Sequence, residues 1–567
     1  MSWRSSIPGE AESHPGKPLR CHLEGTERLA RALAERQGVP EVDRRSLSDA
    51  ALSHDLGKLD LDFQAYLRKE RREGVPHAFS SALFTLCLTE DFWAAEVVAR
   101  HHAGFRNTDG PMSDMWSAWL EAVLEPQRSI ARMRRLLPGF GNIPDAAAWG
   151  RFLSPAARSL GEQRWRCCRV LCSLLVTADR MDALNISEEP RAALPPFHMP
   201  PTTARSSDVD AWRGDLHREC MENAEKLLVA PGIYAISLPT GAGKTLIGLH
   251  VARLAAERFE APNIVYALPF ISIVEQNAHI AAATFSAEVQ EDHSLALLRK
   301  ASTGEGLVGE EDAEWGRMLN LFRYWRSSVV VTTTAHLWRT LFNPHANATM
   351  NFHRLCRAVV VLDEPQGIRP ELWSGFGGIL SHLSEAWGTT FLLMTATQPH
   401  IARATELAPP QVRFPKLRHG YRFLRGKHPL ATLPAILQEG ISSFHERSGL
   451  VVCNTRRSAY ETWRMLREKL PGEAVFFLSR AQTPRHRGRV LRALRFLERC
   501  GTRRFLVATQ VVEAGVDLDF DWVFRDLGPL DSVVQAAGRC NRHASRGPGH
   551  VLVAELQDEH TGRSFCE

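Results

Sequence analysis

The chain has 567 residues, 44% of them hydrophobic, and its 69 basic against 64 acidic side chains leave a formal charge of +5. That length holds roughly three to four domains with real cores, and the mild basic surplus permits a nucleic-acid partner without demanding one. Eleven cysteines without a CxxC pair speak for a reduced compartment; with no N-terminal apolar run and no stretch of ~20 apolar residues, neither a signal peptide nor a membrane span is expected, and the protein is placed in the cytoplasm.

From Pro18 to Leu194 the pattern is helical, with apolar residues at helical period in Leu23–Glu35 and Val170–Leu184. Within this all-α region stand His22, the adjacent pair His54-Asp55, His77, the doublet His101-His102 and Asp179. Imidazoles and carboxylates together suit Mn²⁺, Fe²⁺, Co²⁺, Ni²⁺ or Zn²⁺. His54 and Asp55 can serve one ion, or Asp55 can bridge two, and two ions sharing a carboxylate suit phosphodiester chemistry. Lys58 follows His54 by one helical turn, within reach of a phosphate oxygen, and Gly57 allows close backbone approach. Asp179 on an apolar helix needs either Arg180 or a metal as partner, with Asp182 as the competing ligand. His14 reads as an ordinary histidine.

The proline-dense run Pro195–Thr203 predicts an extended linker, 195–212. After it, short apolar runs alternate with helical segments, which predicts parallel sheets with helices on both faces. Ile233–Leu238, Ile264–Pro269, Val329–Thr333, Ala358–Leu362 and Phe391–Thr395 form one strand series. Leu450–Cys453, Ala474–Leu478, Phe505–Thr509, Trp522–Arg525 and Val551–Val553 form a second. The acidic stretch Gly304–Gly316 reads as a surface insertion.

The first strand breaks into Pro239-Thr240-Gly241-Ala242-Gly243-Lys244-Thr245, a phosphate cradle at the start of a helix. Leu238 replaces the glycine of the strict GxxxxGK[ST] pattern, which the AxxGxGKT form tolerates. Lys244 suits the β- and γ-phosphates of ATP and Thr245 a Mg²⁺ ion. A strand ending in Asp363-Glu364 supplies a Mg²⁺-shell carboxylate and a base for the attacking water. Gln535-Ala536-Ala537-Gly538-Arg539-Cys540-Asn541-Arg542 puts two guanidinium groups on one helical face, aimed at γ-phosphate charge from the opposite lobe.

As an ordered set, Gly241–Thr245, Asp363–Gln366, Thr395-Ala396-Thr397, Thr509–Asp517 and Gln535–Arg542 resemble the tandem RecA-like motor of superfamily 2 helicases. The resemblance implies that Thr395 and Thr397 couple ATP hydrolysis to DNA movement. It also sets Pro269-Phe270, Thr332-Thr333 and Asn454-Thr455-Arg456 near the DNA backbone. The adenine-reading glutamine has no match; His217-Arg218-Glu219 stands in its place. A metal-binding helical domain ahead of such a motor is similar to the helicase–nuclease family of type I CRISPR systems. The match rests on His22, His54, Asp55, Lys58, His77, the doublet His101-His102, and Asp179. It implies an HD domain at 1–194, RecA-like lobes at 213–405 and 406–567, and two Mn, Fe, Co or Ni ions in the HD site. It further implies cutting of single-stranded DNA as a 3′-to-5′ motor reels it in, at an R-loop opened by an RNA-guided surveillance complex. Family members usually continue into an accessory domain, which the residues after Val551–Val553 do not supply. A nuclease-helicase of DNA repair or another anti-phage pathway, and an ATP-gated recruitment module with a structural metal, are the alternatives.

Overall fold

The computed structural model describes residues 7–102, 155–186, 194–199, 208–269, 271–285, 289–293, 324–396, 398–442, 448–513, 518–542, 544, 547–558 and 561–565. The expected insertion Gly304–Gly316, Phe270, Thr397 and residues 514–517 of the Thr509–Asp517 motif lie outside them.

A short hairpin, β1 (Glu12–His14) and β2 (Lys17–Pro18), precedes the helical region. Neither strand was expected from the sequence. Among the described residues six helices follow: α1 (Leu19–Arg36), α2 (Glu41–Ser53), α3 (Leu61–Leu67), α4 (Ala78–Thr89), α5 (Phe92–Arg100) and α6 (Pro155–Ala183). On α1 the buried stripe runs Leu19, His22, Leu23, Thr26, Leu29, Ala30, Leu33, so an imidazole rides on the apolar face. Asp91 starts α5 by accepting from the amides of Trp93 and Ala94.

Two α/β lobes follow, each with an all-parallel sheet. The first orders its seven strands β5 (Gln290–Asp292), β6 (Val329–Thr333), β4 (Ile264–Leu268), β7 (Val359–Asp363), β8 (Thr390–Thr395), β3 (Ile233–Ser237) and β9 (Thr405–Glu406). The second orders six: β10 (His419–Pro429), β15 (Gly549–Gln557), β14 (Trp522–Asp526), β11 (Ser448–Val452), β13 (Arg504–Ala508) and β12 (Ala474–Leu478). All ten expected strands are present. β5, β9 and β10 are additional, and all lie at sheet edges. Edge position explains the misses: β10 is largely exposed and reads HGYRFLRGKHP, without the apolar run that marks a buried parallel strand. β9 carries the first sheet to Glu406, one residue past the expected division at 405, and Leu407 and Ala408 pack in the same core.

The period-2 alternation of the first sheet joins it to two different neighbours. Ile264, Tyr266, Val329, Val361 and Met394 face one way, onto α7 (Asp208–Leu227) and α8 (Lys244–Arg258). Val265, Ala267, Val330, Val360 and Leu393 face the other, into a core continuous with α1, α2 and α6. The helical region therefore shares a hydrophobic core with the first lobe. Polar bonds reinforce the seam. Ser173 Oγ on α6 donates to Thr349 O at 2.6 Å and sits 2.8 Å from His353 Nδ1, whose Nε2 lies 3.1 Å from Tyr324 Oη. Arg169 donates to the carbonyls of Thr340 and Asn343, both at 2.9 Å.

The described part of the linker, residues 194–199, is docked, and residues 200–207 lie outside the described residues. Leu194 and Phe197 pack on the first lobe's core, and the Phe197 ring stacks on His250 with centroids 4.0 Å apart. Helix α7 begins at Asp208, inside the expected linker, and Leu216, Cys220 and Ala224 bury on that core with Trp212 packed against it. No helix among the described residues is long and apolar enough to cross a membrane.

Ser173→Ala should lower stability by about 1–3 kcal/mol, because it orphans buried acceptors at the seam. Urea unfolding followed by tryptophan fluorescence reads this; an unmoved midpoint would show the seam to be dispensable.

Candidate metal centre and nucleotide cleft

Five helices and one turn converge on Asp55. His22 comes from α1, His77 immediately precedes α4, His101 follows α5, and Asp179 stands one turn from the end of α6. His54 ends α2, Asp55 begins the single 3₁₀ turn Leu56–Leu59, and Lys58 lies within that turn. Gly57 is required here: a Cβ would strike the carbonyl of His77 and the hydroxyl of Ser80.

Two ligand-type clusters share one residue. His22, His54, Asp55 and Asp179 form the first, and Asp55, His77, His101 and His102 the second; within each, one potential ligand atom per residue lies within 4.8 Å of the others. Asp55 Oδ2 is 3.2 Å from His22 Nε2 and 3.6 Å from His54 Nε2; Asp55 Oδ1 is 3.0 Å from His77 Nε2 and 3.8 Å from His101 Nε2. His102 Nε2 lies 3.1 Å from His77 Nε2. All seven residues expected from the sequence thus meet in one place.

The donor set fits divalent cations by an independent test. His22 Nε2, His54 Nε2, His101 Nε2 and both Asp55 oxygens are buried without a hydrogen-bond partner of good geometry. So many orphaned buried polar atoms facing one point are unfavourable unless an ion satisfies them. The opposite imidazole nitrogens are engaged: His54 Nδ1 to Ala51 O at 2.8 Å, His101 Nδ1 to Val98 O at 2.5 Å, and His22 Nδ1 to Asp182 Oδ2 at 2.6 Å. Those bonds select the tautomer that turns Nε2 inward. Asp182, the competing ligand in the sequence, instead backs His22 from behind and pairs with Lys17 at 2.6 Å. Its approach depends on Gly25, where a Cβ would strike the Asp182 carboxylate.

The electrostatics agree with an anionic pair of carboxylates. Burial pushes Asp55 up, but Lys58 and His54 override it and hold the carboxyl well below its usual range. Burial likewise opposes the shift at Asp179, which His22 and His54 hold low. His22 is lifted to about 10 despite burial, through Asp179, Asp182 and Asp55. His101 and burial together pull His102 down to about 2. Lys58 Nζ reaches Asp55 Oδ2 at 2.6 Å and Ser13 O at 3.1 Å. His14, read from the sequence as ordinary, stands edge-on to His22 at 5.0 Å, delivered by the β1–β2 hairpin. No motif announces that hairpin.

The second site lies at the carboxyl ends of β3 and β7. Gly241 and Gly243 take φ of +88° and +87°, conformations that open the loop to phosphate oxygens. Lys244 Nζ pairs with Glu364 Oε1 at 2.8 Å. Gln366 Nε2 donates to Glu364 Oε2 at 2.5 Å, and Thr395 Oγ1 donates to Gln366 Oε1 at 2.9 Å. Tyr266 Oη donates to Asp363 Oδ2 at 3.1 Å. Glu364 is held at φ +49°, a strained backbone for a non-glycine residue. Burial and then Glu364 push Asp363 up to about 7, while Lys244 overcomes burial to hold Glu364 low.

From the second lobe, Arg539 donates to the carbonyls of Val512 and Glu513, at 3.0 and 2.8 Å. Gln535 sits on helix Leu530–Ala537, which ends at Gly538, so Arg539 and Arg542 lie beyond it and do not share the helical face expected of them. The lobes touch through a residue that no motif marks. Arg418 donates to Thr240 O at 2.7 Å and to Gly538 O at 2.9 Å, with its guanidinium over Phe414 at 4.9 Å. It thereby joins the phosphate loop to the arginine segment, and the Arg542 carbonyl lies 3.6 Å from where a Cβ on Gly241 would stand.

A helical region carrying two ligand-type clusters thus adjoins a two-lobed α/β unit with a nucleotide-type cleft. The family described as CRISPR-associated nuclease/helicase Cas3, C-terminal, matches residues 445–545, and DEAD/DEAH box helicase matches residues 218–405. The CRISPR-associated nuclease/helicase Cas3 of Haloferax volcanii is 26% identical, over 92% of this chain and 73% of its own. The crystal structure of T. fusca Cas3 with ATP superposes with a TM-score of 0.65 at 18% identity, covering 99% of this chain and 76% of that one. A structure titled as a pre-nicking CRISPR RNA-guided surveillance complex gives 0.58 at 18% identity, over 98% of this chain and 74% of that chain. The chain is thus similar along nearly its whole length to Cas3 nuclease/helicases, and its first lobe matches the ATP-dependent DEAD/DEAH box helicases.

Asp182→Ala should weaken Mn²⁺ binding about 10–100-fold by freeing the His22 ring. Gly25→Ala should act in the same direction by displacing Asp182. Titration calorimetry on the chelator-stripped protein measures both; unchanged affinity would remove Asp182 from the supporting shell.

Proposed function

We propose that this chain is an ATP-driven DNA translocase and helicase whose N-terminal metal centre cuts single-stranded DNA in type I CRISPR interference. The observation that carries the reading is Asp55, shared by two ligand clusters with both buried oxygens lacking a hydrogen bond of good geometry. His22, His54 and Asp179 would hold one divalent ion and His77, His101 and His102 the other, Mn, Fe, Co or Ni, with Asp55 between them. Two ions so placed supply Lewis-acid stabilisation of the attacking and leaving oxygens of a phosphodiester. Lys58 donates to Ser13 O and pairs by charge with Asp55, and a remaining N–H suits a phosphate oxygen in the cavity it lines.

In the motor, Thr240 to Thr245 cradle the phosphates of ATP, and Asp363 and Thr245 hold Mg²⁺. Phosphate binding draws Lys244 from Glu364 and leaves that carboxylate to orient the attacking water. Arg539 and Arg542 would meet the γ-phosphate from the second lobe once Arg539 leaves the carbonyls of Val512 and Glu513, with Gln535 on the same segment. Arg418 is suited to transmit closure, since it spans the loop and the arginine segment. The domain limits 1–194, 213–405 and 406–567, a cytoplasmic setting, R-loop DNA as substrate and a Cascade-like surveillance complex as recruiter belong to the same reading. The structural likeness to a surveillance-complex component supports the last of these.

The test is cleavage of circular single-stranded DNA by metal-stripped protein reloaded with Mn²⁺, Co²⁺ or Ni²⁺. Asp55→Ala should abolish cutting and keep ATP hydrolysis. Lys244→Ala should abolish ATP-driven degradation and keep ATP-independent nicking. Cutting that survives in Asp55→Ala would refute the site assignment.

A further inference from the structure

The metal centre opens into a cavity of about 1300 Å³ whose outer walls are built by α3, the loop after it and the start of α4. The inner end carries His14, Lys58, His77 and His102. Outward from there the surface turns aromatic. Phe63 is buried against His77 with ring centroids 5.0 Å apart, and Tyr66 lies one ring further out at 6.1 Å from Phe63. Tyr66 and Phe79 line the cavity with 38% and 42% of their surface exposed. Exposed aromatic rings beside a polar centre are poor choices for stability alone, since each leaves apolar area in water.

The rim is basic. Residues 68–72 read Arg-Lys-Glu-Arg-Arg. Arg68 is taken up by Glu70 at 2.9 Å and Arg71 faces Asp62 at 3.5 Å. Lys69 and Arg72 have no acidic partner among the described residues, and both line the cavity. Lys69 takes φ +62° just past the end of α3, where the chain leaves the helix for the loop that lines the cavity.

We propose that Tyr66 and Phe79 form a stacking platform for unpaired bases, with Lys69 and Arg72 holding the strand's phosphates. This guide lets the metal domain select single strands without help from the motor. It rests on the phosphodiesterase reading of the centre. The selectivity follows from what each substrate offers: a single strand presents free π-faces and a flexible backbone, whereas a duplex hides its bases in the stack. The platform tolerates any base, because every base has such a face.

The test uses the full chain loaded with Mn²⁺ and no ATP, cutting an oligonucleotide and the same strand with abasic sites. Tyr66→Ala and Phe79→Ala should each raise KM for the intact strand on the order of tenfold while kcat changes little. Tyr66→Phe should restore the wild-type value, and Tyr66→Leu, which keeps the bulk without the ring, should not. The abasic strand should cost the wild type its low KM and leave the alanine variants where they were. An unchanged KM in both alanine variants overturns the guide. A second readout needs no cutting: 5-iododeoxyuridine in the strand, irradiated on the protein, should crosslink to Tyr66 or Phe79 by peptide mass spectrometry. Crosslinks without cleavage under any metal would keep the guide and sink the phosphodiesterase reading. Crosslinks absent from both residues overturn the guide whether or not the protein cuts.

Discussion

A carboxylate buried to about 1% exposure, with both oxygens lacking a well-formed hydrogen bond, is the constraint around which the N-terminal domain is arranged. Burying such a charge without compensation costs several kcal/mol. Compensation comes from several elements around Asp55: Lys58 at 2.6 Å from within the same turn, His22 from α1, His77 from the start of α4 and His101 from the end of α5. Each of those contacts needs a backbone device. Gly57 lets the 3₁₀ turn lie against the start of α4, and Gly25 lets α6 bring Asp182 up behind His22. Removing the charge would leave these devices without purpose, which is why the helical packing reads as a consequence of the site.

The motor solves a related problem by strain and pairing. Asp363 and Glu364 are adjacent carboxylates at the end of a buried strand, and their repulsion is relieved by Lys244, Tyr266, Gln366 and Thr395. The left-handed backbone at Glu364 turns its carboxylate towards Lys244 and away from the course of β7. Phosphate loop, carboxylate pair and threonine therefore form one connected network, and a change at any member alters the charge balance of the rest.

Much of this was legible because the chemistry-bearing residues are local in sequence. His54-Asp55-Leu56-Gly57-Lys58, the loop from Thr240 to Thr245 and Asp363-Glu364 each declare a turn, a strand end and a charge within a few positions. The interior strands were equally legible, since a parallel strand buried on both faces must be an apolar run. What stayed hidden depends on distance in sequence or on exposure. Asp182 and Asp179 lie on the same helical stretch, and nothing local says which turns inward; the rotation of α6 against α1 decides it. Arg418 gains its role only when residues more than a hundred positions apart meet across the lobes. Strand β10 escaped because an exposed edge tolerates Arg, Lys and Gly where a central strand would not.

Helix α6 ties these two chemistries together. Near its end it presents Asp179 to the metal centre, and six residues earlier Ser173 is bolted to the Thr349–His353 segment of the first lobe. That segment runs directly into β7, which ends in Asp363. One helix and one strand thus connect the two sites through a shared core, with no flexible joint among the described residues of that path. Packed interiors transmit displacement because they are dense and poorly compressible. The ligand cluster and the first lobe accordingly share one packed interior, whereas the second lobe's described contacts at the phosphate loop run through Arg418 and the Gly538–Arg542 segment.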